Sequence, residues 1–105
     1  MKRQFENVTV SCKANLYFDG KVISYAIDFE DGTKKTFGLI FPGEYSFDTA
    51  TAEVMEIHAG TCRAKLPDSD TWETFEAGTQ FSVPANANFK IAVDEGPAEY
   101  ICSYA

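Results

Sequence analysis

One histidine, three cysteines, four prolines and nine basic residues set the first limits on this 105-residue chain. With His58 its lone imidazole, a metal centre built on two or three histidines is excluded. Cys12, Cys62 and Cys102 are an odd count with no C-x-x-C pair, so neither zinc spacing nor a disulfide framework follows. No run approaches the roughly 20 apolar residues of a membrane-spanning helix. The opening M-K-R-Q-F-E-N-V-T-V-S-C lacks the apolar stretch of a secretory signal. Nine Lys and Arg stand against sixteen Asp and Glu, a net charge of −7. Nucleic-acid binding needs cations to neutralise phosphates, and an anionic membrane surface needs the same, so neither is an expected partner. There is no Gly-rich phosphate loop, and no long helix N-terminus to receive an anion. The expected setting is reduced, soluble and cytoplasmic.

Aromatic residues are abundant: nine Phe and five Tyr, in a chain that is 45% hydrophobic. Such side chains pack well on a pleated surface, which favours strands and rules out a disordered tail. The length fits one domain over residues 1–105, with 1–14 as an N-terminal extension or edge strand. Turn signals recur at short spacing. Asp19-Gly20 and Asp31-Gly32 each separate two strand-like runs and read as hairpins, because Asp-Gly tolerates the positive φ of tight β-turns. Pro42-Gly43, Ala59-Gly60, Ala77-Gly78 and Pro84-Ala85-Asn86 mark further corners. The segment Thr49 to Ile57 has helical propensity, yet Ala59-Gly60 closes it like its neighbours, so it reads as a turn and a strand. The fold class is all-β, a sandwich or barrel.

Alternation assigns the faces. Tyr45, Phe47 and Thr49 share one face, with Glu44, Ser46 and Asp48 opposite. Glu53, Met55 and Ile57 go together, leaving Val54, Glu56 and His58 outside. Cys62, Ala64 and Leu66 point in, while Arg63 and Lys65 point out. Phe89, Ile91 and Val93 point in. Tyr100, Cys102 and Tyr104 alternate with Ile101 and Ser103, and both faces of this last strand are partly apolar, as in a strand covered on its outer side.

The pieces G-E-Y-S-F, E-V-M-E-I-H-A-G and E-A-G-T-Q-F-S-V-P, with Glu53 seven positions before Gly60 and Gly78 six before Pro84, resemble the punctuation of a single-domain cupin-type β-barrel, a jelly roll. In that pattern two histidines precede the glutamate and a third follows the proline. Here those places read Phe47, Thr49 and Phe89. The expected pocket is therefore rebuilt for an organic ring, with no metal and no cofactor.

Five segments in order, N-L-Y-F-D-G-K-V, P-G-E-Y-S-F-D-T-A, L-P-D-S-D-T-W, E-A-G-T-Q-F-S-V-P and E-Y-I-C-S-Y, resemble the pyrimidine/purine nucleoside phosphorylase family of small bacterial cupins, from about Asn15 to Tyr104. The resemblance implies cleavage of nucleosides of both base classes by inorganic phosphate, giving free base and ribose 1-phosphate. It also implies a homodimer that requires no metal.

Glu53 is the sharpest candidate for catalysis, because a carboxylate facing an apolar interior is costly unless it is partnered. It is suited to stabilising a developing positive charge on ribose or to binding ribose hydroxyls. The plain alternative is a structural glutamate at the barrel mouth. Tyr45, Phe47, Trp72, Phe81, Phe89 and Tyr100 offer stacking surface for a base, and each has an ordinary core role as its alternative. Thr49 and Met55 share the inward faces and complete the expected substrate wall. For phosphate the candidates are Lys21, which follows a turn, and Arg63, which offers a bidentate clamp although alternation turns it outward. His58, on an outer face, reads as a surface histidine. A cupin that holds a nucleoside or sugar without turnover is the rival reading.

Overall fold

A computed structural model describes residues 1–105. The eleven strands are β1 (Val8–Val10), β2 (Asn15–Tyr17), β3 (Val22–Phe29), β4 (Lys34–Ile40), β5 (Gly43–Asp48), β6 (Glu53–Ala59), β7 (Thr61–Lys65), β8 (Glu73–Glu76), β9 (Gln80–Val83), β10 (Asn88–Val93) and β11 (Ala98–Tyr104). They form two antiparallel sheets. The larger runs β1-β3-β4-β11-β6-β9, with β2 also paired to β3; the smaller runs β5-β10-β7-β8. The sheets face each other as a jelly roll. No helix is long and apolar enough to cross a membrane.

Both Asp-Gly hairpins form, with different local chemistry. At the second, Gly32 takes φ 89°, and Asp31 Oδ1 accepts from the Thr33 amide at 2.9 Å and the Thr33 hydroxyl at 2.6 Å. At the first, the central pair is shifted by one residue from the expected Asp19-Gly20. Phe18 and Asp19 hold φ 53° and 58°, and the Gly20 amide donates to the Tyr17 carbonyl at 3.1 Å. A bulky residue in this left-handed region is strained. The Phe18 ring offsets that strain by packing on Tyr45 at 5.0 Å and Phe47 at 5.4 Å between centroids.

The core lies between the sheets, and the face assignments hold there. Ile57, Ala64, Ile91 and Ala98 are fully enclosed, and Met55, Cys62, Phe81, Phe89 and Cys102 are buried beside them. Full burial of an Ile or Phe side chain stabilises by about 1.5–3 kcal/mol. The turn into β5 depends on Gly43, which has φ 149° and would place any Cβ 2.5 Å from the Tyr45 hydroxyl.

Candidate functional site

A cavity of about 300 Å³ opens between the two sheets, a volume at the lower end of small-molecule pockets. Its two walls differ in chemistry. The smaller sheet supplies rings and aliphatic surface: Phe47 on β5, with Phe89 and Ile91 on β10. Phe47 and Phe89 stack at 5.8 Å with 26° between their planes. The larger sheet supplies the polar wall: Tyr17, Ser24, Thr36, Glu53, Cys102 and Tyr104, with Met55 and Tyr100 between them. Asp48, at the end of β5, stands at the rim and accepts a hydrogen bond from Asn88 Nδ2 at 2.9 Å.

Strand register brings the polar wall together. β11 lies between β4 and β6, with Cys102 opposite Thr36 on one side and Tyr104 opposite Glu53 on the other. The Cys102 thiol donates to Glu53 Oε1 at 3.4 Å. The Thr36 and Tyr104 hydroxyls are bonded at 3.1 Å. Burial pushes the Glu53 carboxyl above its ordinary value, and the thiol's hydrogen bond pulls part of the way back. Burial, reinforced by the Glu53 charge, pushes the Cys102 thiol up to about 12. The phenols of Tyr100 and Tyr104 are also raised, chiefly by burial. The Tyr104 ring is 38% exposed at the mouth while its hydroxyl is tied inward.

Five of the sequence candidates line this cavity: Glu53, Phe47, Met55, Phe89 and Tyr100. The others lie elsewhere, each for a visible reason. Tyr45 is buried with its hydroxyl donating to the carbonyls of Phe41 at 2.7 Å and Pro42 at 3.0 Å, so it anchors the turn into β5. Thr49 is a stitch: its hydroxyl donates to the Pro84 carbonyl at 2.6 Å and accepts from the Ala87 amide at 3.0 Å. Phe81 sits one layer back, between Phe75 at 4.6 Å and Phe89 at 6.1 Å. Arg63 and Trp72 meet away from the cavity, where the guanidinium lies 5.2 Å from the indole and makes a two-pronged pair with Asp94 at 2.9 and 3.0 Å. Lys21 is exposed outside the cavity, in the turn before β3. No lysine, arginine or histidine lines the cavity.

Sequence reasoning missed Tyr17, Ser24, Thr36, Asp48, Cys102 and Tyr104 as lining residues. Alternation had grouped Cys102 and Tyr104 with Tyr100, but nothing in the sequence said which strands flank them. Asp48 falls on the outward face by alternation and reaches the rim because β5 ends there.

No cluster of three or more His, Cys, Asp or Glu side chains has metal-binding geometry. The three places where the cupin pattern carries histidines hold the Phe47–Phe89 stack and the Thr49 stitch. A larger groove, about 530 Å³, lies on the outer face of the larger sheet beneath Phe5 and Val8. His58 faces it and is only 15% exposed, bonded to Glu56 at 3.1 Å. It is a covered outer-face residue rather than a free surface histidine.

The chain is similar to known proteins over nearly its whole length. A pyrimidine/purine nucleoside phosphorylase from Cupriavidus necator is 54% identical over 102 residues, 97% of this chain and 96% of that protein. The crystal structure of a protein of unknown function from Acinetobacter sp. ADP1 superposes with a TM-score of 0.94 at 48% identity, covering 97% of this chain and 98% of that one. A cupin-2 domain protein from Shewanella frigidimarina shares the fold at a TM-score of 0.55 and 24% identity, over 68% of this chain and 71% of its own. The cupin jelly roll is thus the fold. The model for pyrimidine/purine nucleoside phosphorylases matches residues 12–104, a span that includes every residue lining the cavity, from Tyr17 to Tyr104, and the chain belongs to that family.

Proposed function

We propose that this protein is a nucleoside phosphorylase that accepts both purine and pyrimidine nucleosides and needs no metal. The observation that carries the reading is the two-walled cavity, with Glu53 facing a stacked pair of aromatic rings. Phe47 and Phe89 hold the base by its face, and every base has one, so purines and pyrimidines are both tolerated. Glu53 faces the sugar. As the C–N glycosidic bond breaks, its electron pair leaves with the base, which takes up the proton that the phosphate gives up. A phosphate oxygen forms the new bond to C1′, and the products are free base and ribose 1-phosphate. Positive charge grows on the sugar ring in the transition state, and a fixed carboxylate in a partly enclosed site stabilises it. Metal independence is supported by the aromatic and hydroxyl side chains at the cupin ligand positions. The hydroxyls at the mouth, Tyr17 foremost, are the donors for phosphate.

Three free cysteines support a reducing, cytoplasmic setting. A homodimer belongs to the same proposal. The apolar groove on the outer face of the larger sheet supports it, and sedimentation analysis tests it.

Incubation with uridine or adenosine plus phosphate is the direct test, read as free base and ribose 1-phosphate. Absence of free base from every nucleoside tried overturns the reading. The rival, a cupin that binds a nucleoside or sugar without turnover, is favoured by one observation: no cationic side chain lines the cavity. Calorimetric binding of nucleoside with zero turnover selects it.

A further inference from the structure

We propose that Cys102 is a positioning residue for Glu53: from the neighbouring strand its thiol donates to Glu53 Oε1 and holds the carboxylate in place. This rests on the reading above, in which Glu53 faces the sugar. The geometry is a row of four groups across three neighbouring strands. Thr36 and Tyr104 are bonded at 3.1 Å, and the Cys102 thiol reaches Oε1 at 3.4 Å. Tyr104 lies two residues further along β11 on the same face and is the cross-strand partner of Glu53.

A glutamate at a strand end has rotamer freedom that a catalytic carboxylate must lose. Here one oxygen is held from β11, and the thiol is the only hydrogen-bond donor acting on the carboxyl. A thiol is a weak donor, but in a partly enclosed site a hydrogen bond is stronger than it is in water. Cys102 is 2% exposed. Its thiol, held up to about 12 by burial and the neighbouring carboxylate, stays protonated across the physiological range, so it acts as donor and not as nucleophile. The other titratable groups around Glu53 are Tyr100 and Tyr104 on β11, Tyr17 on β2 and Asp48 on β5.

The experiment is a carbon-13 NMR titration of the Glu53 carboxyl in the intact protein, assigned by its loss in Glu53→Gln. It compares wild type, Cys102→Ser and Cys102→Ala. The expected order of midpoints is Ser lowest, wild type between and Ala highest, because a donor to the charged form lowers a carboxyl pKa. Cys102→Val, which removes the donor but keeps the bulk, is expected to raise the midpoint as well and serves if an alanine at 102 does not fold. Alongside, kcat/KM for phosphorolysis falls about tenfold in Cys102→Ala, mostly in kcat, and recovers in Cys102→Ser. Equal midpoints in the serine and alanine variants, or an unmoved midpoint in Cys102→Val, overturn the proposal. The titration needs no turnover. A protein that shows the expected order but releases no base from any nucleoside leaves Cys102 in place and overturns the phosphorylase reading alone.

Discussion

At the scale of single residues, Glu53 carries a tension between stability and chemistry. Its carboxyl is raised by burial, so the folded state holds the proton more tightly than the unfolded chain does. Between the two pKa values the native state binds more protons, and stability falls as pH rises through that window. At neutral pH the ionised Glu53 is therefore destabilising. Glu53→Gln is expected to raise Tm at pH 7 and to lose the advantage at pH 4, as thermal melts at the two pH values would show. The same variant is expected to lower kcat/KM by about 10²-fold or more. Arg63 makes the opposite case. Its bond to Asp94 and its contact with Trp72 lie outside the cavity, so Arg63→Ala is expected to leave KM for phosphate unchanged. A rise in that KM would return Arg63 to the site.

At the scale of strands, β5 and β10 do the packing that shapes the aromatic wall. Phe89 is 3% exposed and touches both Phe47 and Phe81. Phe89→Ala is expected to cost about 3–5 kcal/mol in denaturant unfolding, from lost burial and the cavity left behind. Thr49→Val keeps shape but leaves the Pro84 carbonyl and Ala87 amide without their partner, an expected loss of about 1–3 kcal/mol. Strand-level features were the most legible part of the sequence. Asp31-Gly32 and the inward set Cys62, Ala64 and Leu66 follow from turn chemistry and period-two alternation, which are local. The one-residue shift at Phe18 was not legible, because rings from β5 hold that residue in its strained conformation. The Cys102–Glu53 bond was hidden for a related reason. The two residues are 49 positions apart, and pairing between such distant strands is decided by how the whole sheet closes. Alternation gave each strand its inner face and said nothing of its neighbours.

At the scale of the whole molecule, charge sets the approach of substrate. A net charge of −7 repels a phosphate dianion, and neither Asp48 nor Glu53 at the cavity relieves it. Raising ionic strength from 10 to 150 mM shortens the screening length from about 30 to about 8 Å. KM for phosphate is expected to fall over that range while KM for the neutral nucleoside holds, in steady-state assays at fixed pH. An unchanged phosphate KM would mean that a local donor set outweighs the overall field. The two-walled cavity has a further consequence. Because the Phe47–Phe89 stack sits on one sheet and the hydroxyls and Glu53 on the other, the roles proposed for them, holding the base and facing the sugar, fall on separate surfaces. Substitutions along β5 and β10 are expected to retune which ring is accepted while leaving the polar row on β4, β11 and β6 in place, so this small barrel is open to change one half at a time.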